Sequence, residues 1–183
     1  ITRGRTLLAR EGYVKGVTFT ATDKFYLDGK LLVLNSGTYG SAGSAYRTEV
    51  DSFVKVAASG SGTTISYFTV VTKNGLTLTF GKLGSTTDGY QKLMYTSPNG
   101  KTIYESPLPY KYALKQVKDA YGNTITYSYT NQGEAEYLLT KITYGHSNSR
   151  IYVNLSYEDR DDTRKIYVGG YGYHISKRLK TVT

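Results

Sequence analysis

The chain has 183 residues and a mass of 20.3 kDa, and its 23 basic and 14 acidic side chains give a net charge of +9. It contains 20 Tyr and 20 Gly but no Cys, which excludes disulfides, thiolate metal sites, iron–sulfur clusters and a thiol nucleophile. No apolar run approaches the roughly 20 residues that a membrane-spanning helix needs. The hydrophobic content of 39% is enough for one folded domain, and nothing in the composition calls for a cofactor.

Apolar and polar residues alternate along most of the chain. The clearest runs are 76–80, 124–129 and 151–157. A period of two is typical of antiparallel strands with one dry face and one wet face. We therefore predict an all-β fold built as an antiparallel β-hairpin meander. A helix can be argued only at 117–123 and 134–141, and the Gly- and Ser-rich stretches 36–44 and 57–64 are predicted to be loops.

Short turn signals separate the alternating runs. They contain Asn-Gly, Asp-Gly or Gly-Asn pairs, which favour hairpin turns because these residues tolerate positive φ. In 119–123 the Asp is expected to bond the turn amides, while Gly and Asn supply positive φ. A further turn is predicted at 97–100. The structural turn residues are Asp28, Gly29, Asn74, Gly75, Asp119, Gly122 and Asn123.

The sequence predicts a single β domain over residues 1–183, with a soft division near 107–109, where Pro107 and Pro109 flank one residue. The chain starts with Ile1 and ends in a strand-like segment, 178–183, so we interpret it as a fragment of a larger protein. An edge strand left bare in such a fragment is expected to promote self-association.

Four groups of residues, taken in order, resemble one known family. They are similar to the N-terminal region shared by the virulence protein SpvB and the B subunits of insecticidal toxin complexes. The third group, VKDAYGNTITYSY, also resembles the YD-type strand unit of Rhs proteins. Gly4 and Tyr112 depart from the pattern, because the family leads us to expect Cys and Trp there. The four groups are 1–7 with 23–31, 37–40 with 45–53, 117–129, and 137–145 with 155–161.

The resemblance implies a structural role rather than an activity. In toxin-complex B subunits the similar region is part of a hollow β-strand shell that, with a C subunit, encloses a toxic enzyme before delivery. In SpvB-like proteins it precedes a separate toxin domain. For this chain the resemblance implies a non-enzymatic, Rhs/YD-like strip of such a shell. It also implies secretion from a bacterium, with the rest of the parent toxin protein and a toxin C-type subunit as partners.

Catalytic arrangements find little support in the residues themselves. His146 is predicted in a loop and His174 in a strand, and neither has a partner at metal-ligand spacing. Glu134 and Glu136 have the spacing of the Glu-x-Glu pair of ADP-ribosyltransferases. The Ser-Thr-Ser strand and the upstream Arg that support such a pair are missing, so a structural role is expected.

Clusters of charged residues are explained by ion pairs rather than by metal or nucleic-acid binding. The acidic run 158–162 offers oxygen ligands for calcium, but it lacks a spaced loop and contains Arg160, which favours a solvated turn with local ion pairs. Glu49 and Asp51 are expected to share a strand face next to Arg47 and to be explained by an ordinary cross-strand salt bridge. The basic residues are dispersed and no nucleic-acid motif appears, so nucleic-acid binding is not favoured.

The tyrosines keep an alternative function open. Exposed Tyr suits carbohydrate and protein contacts, so the chain is alternatively a secreted carbohydrate- or protein-binding β module. The best candidates for its binding surface are Tyr167, Tyr171 and Tyr173, which surround a glycine-rich turn. The competing interpretation, which we prefer, is that they are ordinary strand residues beside that turn.

Overall fold

The computed structural model describes residues 1–85, 88–96, 103–132, 135–145 and 150–183. These residues form sixteen strands and one single-turn helix, α1 (Leu8–Glu11). The strands are β1 (Thr2–Gly4), β2 (Lys24–Leu27), β3 (Lys30–Ser36), β4 (Ala45–Thr48), β5 (Lys55–Ser61), β6 (Thr64–Val71), β7 (Thr77–Gly81), β8 (Tyr90–Gln91), β9 (Met94–Thr96), β10 (Ile103–Glu105), β11 (Lys111–Tyr112), β12 (Leu114–Lys118), β13 (Thr124–Gln132), β14 (Glu136–Tyr144), β15 (Ile151–Val168) and β16 (Tyr171–Val182).

All sixteen strands belong to one antiparallel sheet, which confirms the predicted all-β meander. Their order is β10-β9-β16-β15-β14-β13-β12-β7-β6-β5-β4-β3-β2-β1-β11-β8. Strands β2 to β7 and β12 to β16 each pair with their neighbours in the chain, as successive hairpins do. The strands β8 and β9 lie near opposite ends of this order, yet only Lys92 and Leu93 separate them in the chain. The sheet therefore curves back on itself.

The turn residues lie where hairpins reverse. Leu27 pairs with Lys30, and between them Asp28 and Gly29 have φ of 48° and 79°. Both central residues thus have the positive φ of a two-residue type I′ turn.

The other two marked turns are longer, and they use one left-handed residue each. Gly75 and Gly122 have φ of 79° and 91°, whereas Asn74 and Asn123 do not have positive φ. The prediction that Asn123 supplies positive φ is wrong, because a three-residue hairpin loop needs a single left-handed residue. Its side-chain amide instead donates to Asp119 at 2.7 Å. The turn predicted at 97–100 lies outside the described residues.

The main core lies against β2 to β7 and β11. Aromatic rings cross at its centre: Phe68 packs edge-on against Phe25 and Tyr112, with ring centroids 5.0 Å and 4.9 Å apart. Such edge-to-face pairs add about 0.5–1.5 kcal/mol each beyond area burial. The buried members are Ile1, Phe25, Leu27, Leu32, Tyr46, Val56, Ala58, Ile65, Phe68, Val70, Phe80 and Tyr112.

The two departures from the family pattern have packing roles. Tyr112, where the resemblance suggests Trp, is fully buried, and its hydroxyl donates to the carbonyl of Ile65 at 3.2 Å. At Gly4 a Cβ would fall 2.4 Å from the ring of Tyr26, so that ring occupies the space that a larger residue would need.

Arg3 ties the first strand to two distant segments. Its Nε donates to the carbonyl of Pro109 at 2.7 Å and its Nη1 to that of Thr20 at 2.8 Å. Its guanidinium lies 3.6 Å from the buried carboxylate of Asp23 and 4.9 Å from the centre of the Phe25 ring. Pro109 is thereby bonded to the N-terminal strand, although the single-domain interpretation with a soft division at 107–109 stays a prediction.

A second, smaller core holds the tip of the β15–β16 hairpin. Val17, Phe19 and Leu93 are its buried members, and Val168 and Tyr171 pack against them. Val168 pairs with Tyr171 across the turn Gly169-Gly170. The tip therefore docks on the segment before β2 and on the link between β8 and β9.

Two of the weaker sequence expectations are wrong. Residues 135–141 form the loop end and first part of β14 rather than a helical turn, because β14 pairs with β13 from Glu136 onward, with a bulge opposite Ser128 and Tyr129. The predicted loop at 57–64 is mostly the β5–β6 hairpin, in which Ser61 pairs with Thr64. The helix that does form, α1, was not predicted, since its four residues are too few to show a period.

Gly169 provides a test of the hairpin docking, with Gly170 as its matched control. Both have positive φ, 56° and 84°. A Cβ at Gly169 would lie 2.3 Å from the carbonyl oxygen of Val17, whereas one at Gly170 meets nothing within 4 Å. Gly170→Ala should therefore cost about 1 kcal/mol, for the left-handed backbone alone. Gly169→Ala should cost a further ~1–3 kcal/mol for the clash. Equal losses in urea unfolding would contradict the docking.

Asp119 provides a pH test of its turn. Hydrogen bonds from the Asn123 side chain, and from the amides of Asn123 and Tyr121, hold the pKa of this exposed carboxyl below its ordinary value of 3.8. A carboxyl whose pKa is lower in the folded state stabilises the fold above its ordinary pKa, and this stabilisation disappears as the pH falls through the folded-state pKa. Asp119→Asn should thus lower Tm at pH 7, and by less at pH 3. The same loss at both pH values would argue against this role.

Candidate functional site

One row of apolar side chains crosses the sheet from the core to its exposed strands. Residues directly opposite each other in an antiparallel pair share a face, and residues two apart in a strand share it too. By register, the row passes from Val56 and Val70 through Leu78 and Val117 to Ile125. Beyond that point it continues over β13 to β16 as the surface that we call the open face: Ile125, Tyr127, Ile142, Tyr144, Ile151, Val153, Leu155, Tyr157, Leu179 and Val182.

Exposure along this row is far higher at several outer positions than in the core, while Tyr127, Ile142, Val153, Leu155 and Tyr157 are half-buried. Val56 and Val70 are 1% and 2% exposed, whereas Ile125 is 38%, Ile151 53% and Val182 56% exposed. The same alternation that buries the core on β5 and β6 therefore meets solvent on β13 to β16. The sequence predicted a dry face for these strands, and within the described residues nothing covers it fully.

The opposite face of β13 to β15 is polar. Thr126 pairs with Thr143, which pairs with Tyr152, and Lys141 pairs with Asn154. The ammonium group of Lys141 lies 3.9 Å from the centre of the Tyr152 ring, a cation–π contact that suits an exposed surface. The two faces thus differ in chemistry, and a contiguous exposed apolar face of this kind is typical of a protein contact surface.

A network of bonds around Asp88 joins β12, β13 and β14 beside the open face. The Asp88 carboxylate lies 2.7 Å from the ammonium group of Lys115 and accepts from the amide of Tyr129 at 3.1 Å. The hydroxyl of Tyr137 donates to the Asp88 carbonyl. Burial raises the pKa of Tyr129 to about 12 and also raises that of Tyr137, so both phenols stay neutral. Sequence reasoning missed this network, because its members come from three distant segments.

The three candidate binding tyrosines do not form one exposed surface. Tyr171 and Tyr173 pack against the second core, and the ring of Tyr171 meets Phe19 edge-on at 5.1 Å. Tyr167 is 70% exposed and pairs with Gly172, and a Cβ at that glycine would lie 3.1 Å from its ring. Tyr167 therefore covers a strand glycine on the face opposite to Tyr171 and Tyr173.

Glu136 is buried and hydrogen-bonded to β16. It is 4% exposed, and its Oε1 accepts from the amides of Ser176 and Lys177 at 2.8 Å each. Its Oε2 accepts from the Ser176 hydroxyl at 2.5 Å. These bonds join the start of β14 to β16. Glu134 and His146 lie outside the described residues, and His174 lines a cleft of about 380 Å³ between β11, β14 and β16.

The acidic run 158–162 lies within β15, so the predicted solvated turn is wrong, but the expected ion pairs form at three of its residues. Glu158 bonds Arg178 at 2.9 Å, Asp159 bonds Lys177 at 2.5 Å and Asp162 bonds Arg160 at 2.8 Å. Within the described ranges no group of three or more His, Cys, Asp and Glu is arranged to hold a metal ion. The predicted strand face of Glu49 and Asp51 is wrong, although Glu49 does form a salt bridge, with Arg10 at 2.8 Å. Asp51 accepts from the Phe53 amide. Both acidic residues follow the end of β4, so they do not share its face.

Comparison with known proteins identifies the fold. No family model and no curated protein matches the chain. Among solved structures, the N-terminal domain of effector protein SpvB from Salmonella typhimurium strain LT2 superimposes with a TM-score of 0.69 over 100% of this chain and 74% of that one, at 13% identity.

The protein has an SpvB-like fold. The crystal structure of TcdB2-TccC3 contains the same fold, with a TM-score of 0.66 and 14% identity over 99% of this chain. The match spans only 11% of the TcdB2-TccC3 chain, so the SpvB-like fold occurs there as a small portion of a much larger polypeptide. In the part of this chain that the structure describes, no helix is long and apolar enough to cross a membrane.

Truncation of Ile to Ala should lower the free energy of unfolding by different amounts in the core and on the open face. Ile65 is 1% exposed in the core and Ile151 is 53% exposed on the open face. Ile65→Ala should cost roughly 2–5 kcal/mol, the range for buried aliphatic truncations. Ile151→Ala should cost less than about 1 kcal/mol, since that side chain is not enclosed. Comparable losses in urea unfolding would mean that Ile151 is covered in this chain.

Proposed function

We propose that this protein is a non-catalytic structural part of a bacterial toxin protein, contributing to a β-strand shell that encapsulates or presents a toxin. The observation that carries the proposal is the open face, where a row that is 1–2% exposed in the core continues outward to residues that are 50–56% exposed. A surface with the composition of a core suits contact with a further part of a larger assembly. In the proposal it is the inward-facing wall of the shell.

The likeness to solved structures supports this assignment at the level of fold. The chain is similar over its whole length to the N-terminal domain of an effector protein, and 99% of it matches a portion of TcdB2-TccC3. We infer that the chain acts as one module of a longer, secreted toxin protein. The remaining parent protein, with its Rhs/YD-type strands and a C-type subunit, is the proposed partner.

The absence of catalysis is also part of the proposal. Among the described charged side chains, those that resemble catalytic groups are engaged in holding strands together. Glu136 bonds two amides and a hydroxyl of β16, and Lys115 is paired with Asp88. A charged group that is already bonded within the fold is poorly placed to exchange protons with a substrate.

The proposal is tested by asking whether the open face is covered in the product of the complete reading frame. The chain has no Cys, so Ile151→Cys introduces a single thiol on the open face, and Tyr152→Cys places a matched one on the opposite face. Both should react rapidly with a maleimide in the 183-residue chain, where these positions are 53% and 46% exposed. In the full product, labelling at position 151 should slow at least about tenfold while position 152 still reacts, because only the inner wall is covered.

Two results would overturn the proposal. One is equal labelling of positions 151 and 152 in the full product. The other is a reading frame that encodes no segment beyond this chain, since a shell module then has nothing to enclose or present.

A further inference from the structure

Four non-glycine residues have a left-handed backbone among those that the structure describes, and three of them have an evident reason. Asp28, with φ of 48°, lies in the β2–β3 turn that requires it. Phe19 and Ala135, with φ of 55° and 62°, bury their side chains, being 3% and 0% exposed. Phe53 has φ of 56° and is 70% exposed. A bulky residue in this conformation is a real outlier, and its strain is not offset by burial here.

The turn around Phe53 is firmly built. The amide of Phe53 donates to the Asp51 carboxylate at 2.8 Å, and the amide of Ser52 donates to the Thr48 hydroxyl at 3.1 Å. The hydroxyls of Thr48 and Ser52 are a further 2.8 Å apart. These bonds hold the 48–53 backbone, so the side chain of Phe53 projects into solvent from a fixed position.

A second apolar loop lies beside this turn. The guanidinium of Arg10, in α1, bonds the Glu49 carboxylate through Nη2 at 2.8 Å and Nε at 3.2 Å. The segment that contains α1 exposes three large apolar side chains, and the turn exposes two. Together we call them the loop patch: Leu8 (64% exposed), Tyr13 (53%), Val14 (62%), Val50 (70%) and Phe53 (70%).

Basic residues surround the loop patch. Arg5 and Lys15 lie on either side of α1, Arg47 precedes the turn and Lys55 follows it, and all four are exposed. Segments 5–15 and 47–55 contain five basic and three acidic residues. Of the acidic ones, Glu49 is paired with Arg10 and Glu11 with Lys24. The rim is therefore net positive, like the chain as a whole at +9.

We propose that the loop patch docks on the surface of a bilayer that contains anionic lipid. Apolar tips that enter the headgroup region, within a rim of Lys and Arg that meets anionic headgroups, are the two signals that together give stable peripheral binding. The strained turn serves this contact, because a backbone already held by hydrogen bonds loses little freedom when the Phe53 ring inserts. This inference is independent of the proposed shell role, which rests on the open face at the other end of the strand order.

The direct test uses Phe53→Trp as a reporter. The chain has no Trp, so the Trp emission of this variant, excited at the long-wavelength edge where the 20 Tyr do not absorb, comes from the loop patch alone. Mixed with vesicles of phosphatidylcholine and phosphatidylserine at 7:3 in 0.15 M salt, its fluorescence should shift to the blue and the protein should co-sediment. Pure phosphatidylcholine vesicles should give neither effect. No shift with the anionic vesicles would overturn the proposal and leave a protein as the occupant of the patch.

Phe53→Gly separates docking from folding. Glycine accepts a φ of 56° without strain, so this variant should have an unchanged or raised Tm. Its partition onto the anionic vesicles should nevertheless fall about tenfold, because the inserted ring is lost. Asp28→Gly is the matched control: it relieves a φ of 48° outside the patch and should leave vesicle binding unchanged.

The rim is tested by removing charge without removing apolar surface. Arg47→Gln and Lys55→Gln should each weaken binding about fivefold at 0.15 M salt, and less at 0.5 M salt where headgroup charges are screened. Binding that falls with these changes but not with Phe53→Gly would mean simple charge attraction, and it would contradict insertion of the loop patch.

Discussion

Residues 88–93 join the two ends of the sheet, and the shape of the rest of the structure depends on that junction. β8 pairs with β11 at one end of the strand order, and β9 meets β16 near the other, where Met94 pairs with Gly172. The inner strands of a strip of hairpins are each satisfied by two neighbours, so their pairing does not by itself set how the strip curves. Here two residues of chain span the gap, so the strip has to curve. The bonds of Asp88 to β12 and β13, and of Gln91 to the Ala135 carbonyl at 2.7 Å, hold the junction against the sheet.

Curvature then divides one apolar row into two environments. Over β5 and β6 the row is enclosed by the rings of Phe25, Phe68 and Tyr112. Over β13 to β16 the sheet has the same alternation of apolar and polar residues, but these three rings do not extend over it. The residue types are nearly the same in both halves, so hydrophobicity alone does not separate a core position such as Val70 from an exposed one such as Val182. The exposure of apolar residues such as Val182 makes the open face a candidate contact surface.

Backbone strain shows the same dependence on context. Phe19 and Phe53 have φ values of 55° and 56°, yet one ring is in the second core and the other is in solvent. The first is stabilised by the Leu93 and Tyr171 contacts that hold the hairpin tip. The second has no such compensation among the residues that the structure describes, and we attribute it to the surface on which the loop patch docks.

The sequence by itself determined the local structure. Alternation over 124–129 and 151–157, and the pairs Asp28-Gly29, Asn74-Gly75 and Gly122-Asn123, were sufficient for the strands and their reversals, because these depend on residues within one hairpin. The resemblance carried by the motifs led to the right fold at 13–14% identity. Only the tertiary structure decided which apolar faces are covered, that Glu136 is bonded by β16, and that Tyr171 and Tyr173 are in a core while Tyr167 is exposed. Those outcomes depend on contacts between residues far apart in the chain, such as Val17 with Gly169, and a period of two gives the same pattern whether or not a second layer covers the strand.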